Sequence, residues 1–373
     1  MSRTVVIGGG PAGLTAAYEL SKLGGQEAVV YEKTDMVGGI SQTVERDGNR
    51  FDIGGHRFFT KVGYVQQIWE EILDQEFLTR PRLSRIHYDG KFFNYPLVPM
   101  NALMGLGPIE SVRIGFSYLW AQVAPHPEER NFEQWVSNRF GRRLFEIFFK
   151  TYTEKVWGMP CSEISADWAA QRIKNLDLLS AVKNALLGNT AKTKGEVITT
   201  LIDEFQYPKH GPGMMWEQCV ERLAERGIQT HMEAGVDALK LEGNRVVSAT
   251  IKRADGSTEE VTADHFINSM PLRRLIYSLG DAVPPHVKDA ADKLRYRDFL
   301  TVVLLVNQDD LFPDNWIYIH SPEVEVGRVQ NFKNWSPYMV ADPKKSTLGL
   351  EYFVQEGDRL WTMDDDELIK LGT

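Results

Sequence analysis

Apolar positions along the chain begin with a short unbroken block, Val5-Val6-Ile7, that runs straight into the turn Gly8-Gly9-Gly10-Pro11-Ala12-Gly13-Leu14. A short apolar run bounded by glycine reads as a strand. From Pro11 to about Leu23 the spacing becomes helical, with Gly24-Gly25 as the stop. Val29-Val30-Tyr31 is a second apolar run, ending on Glu32. Val65 to Leu73 again has helical spacing. Arg85-Ile86-His87-Tyr88 and Lys91-Phe92-Phe93 flank Asp89-Gly90, a two-residue hairpin signal. From about Met100 to Phe205 the pattern is mostly helical: Phe132, Trp135, Val136 and Phe140 share one face before Gly141, and Leu144, Phe145, Phe148 and Phe149 form a further stripe.

Met215 to Leu223 predicts a helix ending near Gly227. Three short strands follow, 235–239, 245–251 and 260–262, with Asp255-Gly256 turning between the last two. A buried strand over 264–269 is closed by Pro271, and residues 296–361 are rich in strand signals and aromatics. These elements predict an α/β protein with a doubly wound, Rossmann-like nucleotide domain, an inserted helical cap and a mixed-sheet substrate region. The expected boundaries are 1–65 plus 208–295 for the nucleotide domain, 66–207 for the cap and 296–373 for the last region.

Composition narrows the function. A chain of 373 residues with 43% hydrophobic content has ample core for two or more lobes. Its net charge of −9 argues against nucleic acid as a partner, since tracking phosphates needs clustered Lys and Arg. Cys161 and Cys219 stand alone, outside any CxxC, which suits a reducing cytoplasm and leaves no thiolate metal site. The first strand begins so close to Met1 that no signal peptide is expected, and no apolar run is long enough for a membrane span. Asp364-Asp365-Asp366-Glu367 reads as acids in the first turn of a helix rather than a metal site. Arg142-Arg143 reads as solvated surface, Asp52 as a turn residue, and no metal is expected.

The opening block carries the clearest chemistry. Gly8 permits the tight turn, Gly10 lets the backbone approach a pyrophosphate, and Gly13 lets the helix sit close to the sheet. The helix N-terminus then faces the phosphates with open N–H groups. Glu32 accepts hydrogen bonds from the adenosine ribose and would repel a 2′-phosphate, which disfavours NADP. The second pair, Gly38-Gly39, followed by Ile40, favours FAD in an extended pose over NAD. The plain alternative is a parallel-sheet turn that binds nothing.

The fingerprint, the Gly38-Gly39 loop and Gly55-His56-Arg57-Phe58-Phe59-Thr60 resemble the flavin-binding lobe of UDP-galactopyranose mutases and their amine-oxidase-like relatives. A more restricted likeness is Phe148-Phe149-Lys150-Thr151-Tyr152-Thr153-Glu154-Lys155-Val156-Trp157-Gly158, which resembles the mutases' aromatic segment for uridine and sugar. Arg172 lies one position from a pyrophosphate-binding arginine of that family, Gly327 to Lys333 resembles the segment carrying a second such arginine, Arg328, and Glu351-Tyr352 resembles a later substrate pair.

The resemblance implies an FAD-dependent enzyme whose reduced flavin displaces UDP from a sugar's anomeric carbon with no net redox change. It implies that His56 tunes the flavin, that Arg172 and Arg328 hold the diphosphate, and that Tyr152, Thr153, Trp157 and Tyr352 line the substrate site. The cofactor-lining set is Gly8, Gly10, Pro11, Ala12, Gly13, Glu32, Lys33, Gly38, Gly39, Ile40, Gly55, His56, Val236 and Ser269. A uracil needs a flat π-surface such as Tyr152 or Trp157, worth about 1 kcal/mol. The expected partner is a small molecule, read as a nucleotide-sugar, with a homodimer left open.

Each of these residues also has a plainer reading. The aromatic stripe suits a helix core, Arg172 and Arg328 suit surface ion pairs, and His56 suits a hydrogen-bonded loop. Met36 stands where the mutases carry a basic residue and Asn331 where they often carry an acid. The sequence stops at Gly372-Thr373, before the family's closing glycine-containing FAD segment, which would leave part of both pockets open. The rival functions are an FAD oxidase or desaturase of amine-oxidase or protoporphyrinogen-oxidase type, and a nucleotide-binding protein without catalysis.

Overall fold

The structure, a computed structural model, describes residues 2–24, 26–172 and 204–373. The first apolar block forms the strand Ser2–Ile7, paired in parallel with Gln26–Tyr31 on one side and His265–Asn268 on the other. Gln229–His231 completes this four-stranded sheet. Alternate side chains leave a strand on opposite faces. Val6 and Val30 pack with Leu14, Ala17 and Met215 from the helices Pro11–Lys22 and Gly213–Glu225. Val5, Ile7, Val29 and Tyr31 pack on the other face with Ala249 and Ile251 of the antiparallel meander Ala234–Glu242, Arg245–Arg253 and Thr258–Thr262. Burial on both faces explains why these strands read as apolar runs without alternation.

The chain divides into two compact units. The first comprises Met1–Arg80, Gln206–Tyr296 and Ser336–Ala341 and contains the parallel sheet; the second comprises Pro81–Phe205, Arg297–Trp335 and Asp342–Thr373. The second is built on a six-stranded mixed sheet, ordered Asp298–Val306, Ser346–Val354, Arg328–Asn331, Trp316–Ile319, Ser84–Tyr88 and Lys91–Asn94. The last two strands are the Asp89-Gly90 hairpin, in which both turn residues take positive φ, 50° and 69°. Residues read as the start of a helical insertion therefore complete this sheet.

Helices cover one side of it. Phe132–Phe140 is capped by Asn131, whose side chain accepts from Gln134 N–H at 2.9 Å. Phe132, Val136 and Phe140 enter a core with Phe145, Phe148, Ile86 and Phe93. Between the helical segments Arg142–Phe145 and Thr151–Trp157, residues Glu146–Lys150 form a widened π-type turn. The expected helical stretch continues through Ala166–Arg172, and residues 173–203 of that expectation lie outside the described residues. Asp364 caps the helix Asp365–Gly372 by accepting from Glu367 N–H at 2.9 Å, so the acid run serves the helix start. Among the described residues no helix is long and apolar enough to cross a membrane.

Gly141 ends its helix at φ +81°, and a β-carbon there would lie 2.7 Å from the backbone nitrogen of Tyr118. Both the backbone strain and the clash with main chain oppose any side chain. Gly141→Ala is expected to destabilise the second unit by about 2 kcal/mol or more, measured as a lowered midpoint in urea unfolding.

Candidate functional site

The turn after the first strand is held by main-chain bonds. Gly8 N–H donates to Tyr31 O at 2.8 Å and Gly38 N–H donates to Gly9 O at 2.9 Å. Gly13 approaches so closely that a β-carbon on it would lie 2.0 Å from Gly8 O. Gly10 differs: with φ −83°, its β-carbon would meet nothing nearer than Gly39 Cα at 3.8 Å. Gly10 and Gly39 thus pass in close contact, backbone against backbone. No side chain caps the helix Pro11–Lys22, so the N–H groups of its first turn, from Ala12 and Gly13, are open to an anion. These residues suit a dinucleotide pyrophosphate.

Glu32 holds the same loop from outside. Its Oε2 accepts from Gly9 N–H at 2.6 Å, and its Oε1 accepts from the N–H and hydroxyl of Thr34 at 2.8 Å each. A carboxylate has about four acceptor positions, so about one remains for a ribose hydroxyl. Ser269 Oγ donates to Ile7 O at 2.8 Å and locks the turn rather than pointing away from it. Ile40 is exposed beside the Gly38-Gly39 turn. Lys33 is exposed and covers Gly235, while Val236 packs toward the meander core. Gly55 is exposed, and His56 Nε2 lies 3.4 Å from Ile53 O.

Asp52 corrects its reading as a turn residue. It ends the strand Asn49–Asp52, is buried, and accepts from Thr43 Oγ1 at 2.9 Å and from the Tyr207 hydroxyl. Thr43 Oγ1 in turn accepts from Gly213 N–H at 3.0 Å, which ties the segment after Gly39 to the start of a core helix. Burial, then the Asp52 charge, raises Tyr207 well above an ordinary phenol, so it stays a donor. Four residues from two distant stretches, 43–52 and 207–213, build this network, and no short motif announces it.

In the second unit Tyr318, Arg328 and Glu351 are direct neighbours on three adjacent strands and so share one face. Arg328 Nε donates to Glu351 Oε2, while Glu351 Oε1 accepts from Gln330 Nε2 at 2.9 Å. Trp335 Nε1 donates to Gln330 Oε1 at 3.0 Å, extending the chain of hydrogen bonds. Among the described residues the two terminal nitrogens of Arg328 have no partner. Burial pulls the Arg328 pKa down and Glu351 more than restores it, so the guanidinium stays charged.

Tyr152 joins this group. Its ring stacks on His320 at 4.9 Å with 6° between planes, and meets Tyr318 edge-on at 5.2 Å and Phe353 at 6.2 Å. The Arg328 guanidinium lies 5.8 Å from the centre of the Phe353 ring. Burial raises the Tyr152 pKa, keeping its hydroxyl protonated. Burial also pushes His320 down to about 3, so its imidazole is neutral. Lys155 donates to the carbonyls of Ser321 at 2.7 Å and of Ile319 and Val326 at 3.2 Å, and burial pushes it down to about 8 against the charges of Glu323 and Glu325.

Other expected substrate residues lie apart from this group. Trp157 meets Trp168 edge-on at 5.0 Å on the far side of its helix, and its Nε1 has no hydrogen-bond partner among the described residues. Thr153 is buried in the same helix. Tyr352 alternates with Glu351 and Phe353, so it faces the opposite side of the sheet and packs with Val302, Leu350 and Val354. The side chain of Arg172 lies outside the described residues. Sequence reasoning missed His320 and Arg297. His320 follows Tyr318 at the two-residue strand period, a usable signal. Arg297 donates to Val156 O, Lys155 O and Phe353 O at 2.8–3.0 Å, tying the Tyr152 helix to the Glu351 strand, and nothing local marks it.

The family described as flavin containing amine oxidoreductase matches residues 11–373. The chain is 27% identical over 198 residues to protoporphyrinogen oxidase 1, chloroplastic, of Spinacia oleracea, covering 51% of this chain and 34% of that protein. It is 22% identical over 300 residues to 15-cis-phytoene desaturase of Synechococcus elongatus, covering 75% of this chain and 60% of that protein. It therefore spans less than two thirds of the length of these curated relatives. A crystal structure of reduced UDP-galactopyranose mutase matches with a TM-score of 0.82 at 23% identity, over 99% of this chain and 77% of that one, a likeness of fold.

The neutral His320 makes the second unit acid-sensitive. Its folded pKa of about 3 lies below the ordinary 6.5, so between those values the unfolded chain holds a proton that the folded protein does not. Stability falls as pH drops through that window, by up to about 1.4 kcal/mol per pH unit from this group. His320→Phe keeps a ring against Tyr152 and removes the proton site. Its loss of urea stability from pH 7 to pH 5 is expected to be smaller than that of the unaltered protein; equal losses would exclude His320 as the source.

Proposed function

The chain belongs to the flavin containing amine oxidoreductase family, and on that premise we propose that it is an FAD-dependent enzyme acting on a nucleotide-linked sugar. The observation that carries the proposal is Arg328, a charged guanidinium oriented by buried Glu351, with its terminal nitrogens open and aromatic rings around it. An arginine fork binds two oxygens of a diphosphate at once, and its fixed charge stabilises a departing nucleoside diphosphate. Such a fork has little use for a hydrocarbon substrate.

FAD supplies the electron-transfer and nucleophilic chemistry when bound. The protein's own part is binding and positioning. The Ala12 and Gly13 N–H groups and the backbone face of Gly10 receive the pyrophosphate, and Glu32 receives a ribose hydroxyl. Tyr152 offers a protonated hydroxyl near the Arg328 charge, among the rings of Tyr318, His320 and Phe353. The resemblance of Tyr152 and Arg328 to the mutases' substrate segments supports UDP-galactopyranose as the sugar nucleotide. The fold likeness to reduced UDP-galactopyranose mutase supports the same choice.

A second reading, an oxidase or desaturase, is favoured by the names of the curated relatives. The two differ in stoichiometry. A mutase interconverts UDP-galactopyranose and its furanose isomer only with reduced flavin and consumes no oxidant. An oxidase consumes oxygen and releases peroxide.

A β-carbon at Gly10 makes only ordinary contact with Gly39, so Gly10→Val is expected to keep the fold, with an unfolding midpoint near that of the unaltered protein, and to purify without FAD because the branched side chain crowds the backbone face offered to the pyrophosphate. The ratio of flavin absorbance to protein absorbance checks this; a variant that remains yellow would overturn the placement of the pyrophosphate at Gly10. Arg328→Ala is expected to weaken UDP binding by about 2 kcal/mol, roughly 30-fold, as read by calorimetry. Unchanged affinity would take the arginine out of the site and the nucleotide-sugar reading with it.

A further inference from the structure

Lys155 lies three residues beyond Tyr152 on the helix Thr151–Trp157, so the two side chains are neighbours on one helix face. Its Nζ donates to the carbonyls of Ser321 at 2.7 Å and of Ile319 and Val326 at 3.2 Å. An ammonium carries three N–H groups, so each of them is used. These carbonyls belong to the segment that joins the strands Trp316–Ile319 and Arg328–Asn331. His320, at the start of the segment, stacks on Tyr152, and Arg328 follows its end. The tip from Pro322 to Glu325 is exposed, while His320 and Ser321 at the base are buried. Lys155 therefore bonds both ends of the segment that carries the histidine of the candidate site and leads into its arginine.

The end of the segment is tightly placed. Gly327 N–H donates to Glu351 O at 2.8 Å, Ile319 N–H donates to Gly327 O at 2.9 Å, and a β-carbon on Gly327 would lie 2.4 Å from the Phe353 ring. That ring is 6.2 Å from Tyr152 and 5.8 Å from the Arg328 guanidinium, so a displaced segment shifts the whole group. Several ionisable groups surround Lys155. His320, Glu323 and Glu325 lie on the segment, and Glu325 pairs with Arg359. Arg297 donates to Lys155 O, Glu351 lies on the strand Ser346–Val354, and His87 Nδ1 lies 3.3 Å from Ser321 Oγ. Burial lowers the Lys155 pKa to about 8, and the charges of Glu323 and Glu325 oppose that fall. Lys155 thus changes charge just above neutral pH, where His320 is already neutral and the guanidinium groups of Arg297 and Arg328 keep their charge.

We propose, on the reading of Arg328 as a diphosphate ligand, that Lys155 is a positioning residue: its ammonium fixes the base of this segment so that His320 stays on Tyr152 and Arg328 keeps its orientation. As pH rises the ammonium gives a proton to solvent and becomes an amine with two N–H groups, which cannot serve three carbonyls. The arginine then loses its fixed aim, and affinity for the diphosphate falls. Stability follows the opposite trend. The folded pKa of about 8 lies below the ordinary 10.5, so between those values the unfolded chain holds more protons and the contribution of this group to stability rises with pH. A loss of affinity above pH 8 is therefore separable from a loss of fold.

Calorimetry of UDP against the full-length, FAD-loaded protein from about pH 7 to about pH 9 tests this, a range that brackets the Lys155 transition. Affinity is expected to fall about tenfold across that range, the loss of one charge-assisted hydrogen bond. Lys155→Met, neutral throughout and of similar length, is expected to bind UDP at the lower pH as weakly as the unaltered protein does at the higher, with no pH dependence between. Amide hydrogen exchange over residues 319–328, corrected for intrinsic rates and run without UDP, gives a readout that needs no nucleotide. Protection there is expected to drop across the same range in the unaltered protein and to be low throughout in Lys155→Met, while the strand Ser2–Ile7 stays protected in both. Affinity and exchange that are both flat through the range, or a Lys155→Met variant that matches the unaltered protein in both, would overturn the proposal. An unaltered protein that binds no UDP at the lower pH would overturn the diphosphate reading of Arg328, and the exchange measurement would still decide the role of Lys155.

Discussion

The close passage of Gly13 over the carbonyl of Gly8 is the constraint from which the nucleotide unit is built. At that distance no side chain fits, so the helix can pack its first turn directly against the end of the strand. Everything nearby follows from that approach. The helix leaves the N–H groups of its first turn uncapped, Ser269 closes the turn from the neighbouring strand, and Glu32 clamps Gly9 from the side. The turn is thus made mostly of backbone, which presents fixed dipoles at no cost in side-chain entropy.

The second unit solves a different problem, the placement of a charge in a largely apolar surrounding. Burying an ion pair gains little stability, because the desolvation of both partners offsets their attraction. Arg328 and Glu351 are therefore poor candidates for a purely structural role. Glu351 is held by Gln330, which is held by Trp335, so the orientation of the guanidinium is set by a buried chain of hydrogen bonds. Such networks specify geometry when every member is satisfied. The remaining Arg328 nitrogens, without a partner among the described residues, are held in a fixed orientation by that chain.

Much of the architecture was readable locally. The opening strand, glycine turn, helix and second strand, the Asp89-Gly90 hairpin, the meander and the acid-capped final helix each follow from turn chemistry or from a period of 2 or 3.6 residues. The aromatic segment was less readable. Between Phe145 and Thr151 a π-type turn adds a residue to the helix and shifts the phase of all that follows. A stripe counted at 3.6 residues across that point cannot tell which face Tyr152 and Trp157 occupy. The structure sends Tyr152 to His320 and Tyr318, and Trp157 to Trp168.

The sequence by itself therefore determined the fold class, the nucleotide fingerprint and the identity of the acid that accompanies it, because those depend on residues within one or two elements. Only the tertiary structure decided which distant side chains meet. It aligned Tyr318, Arg328 and Glu351 across three strands, turned Tyr352 to the opposite face of the same sheet, and buried Asp52 against Tyr207. Strand pairing and register set those meetings through space. A one-residue change in either would reverse which side chain faces the site, and no local pattern encodes that choice.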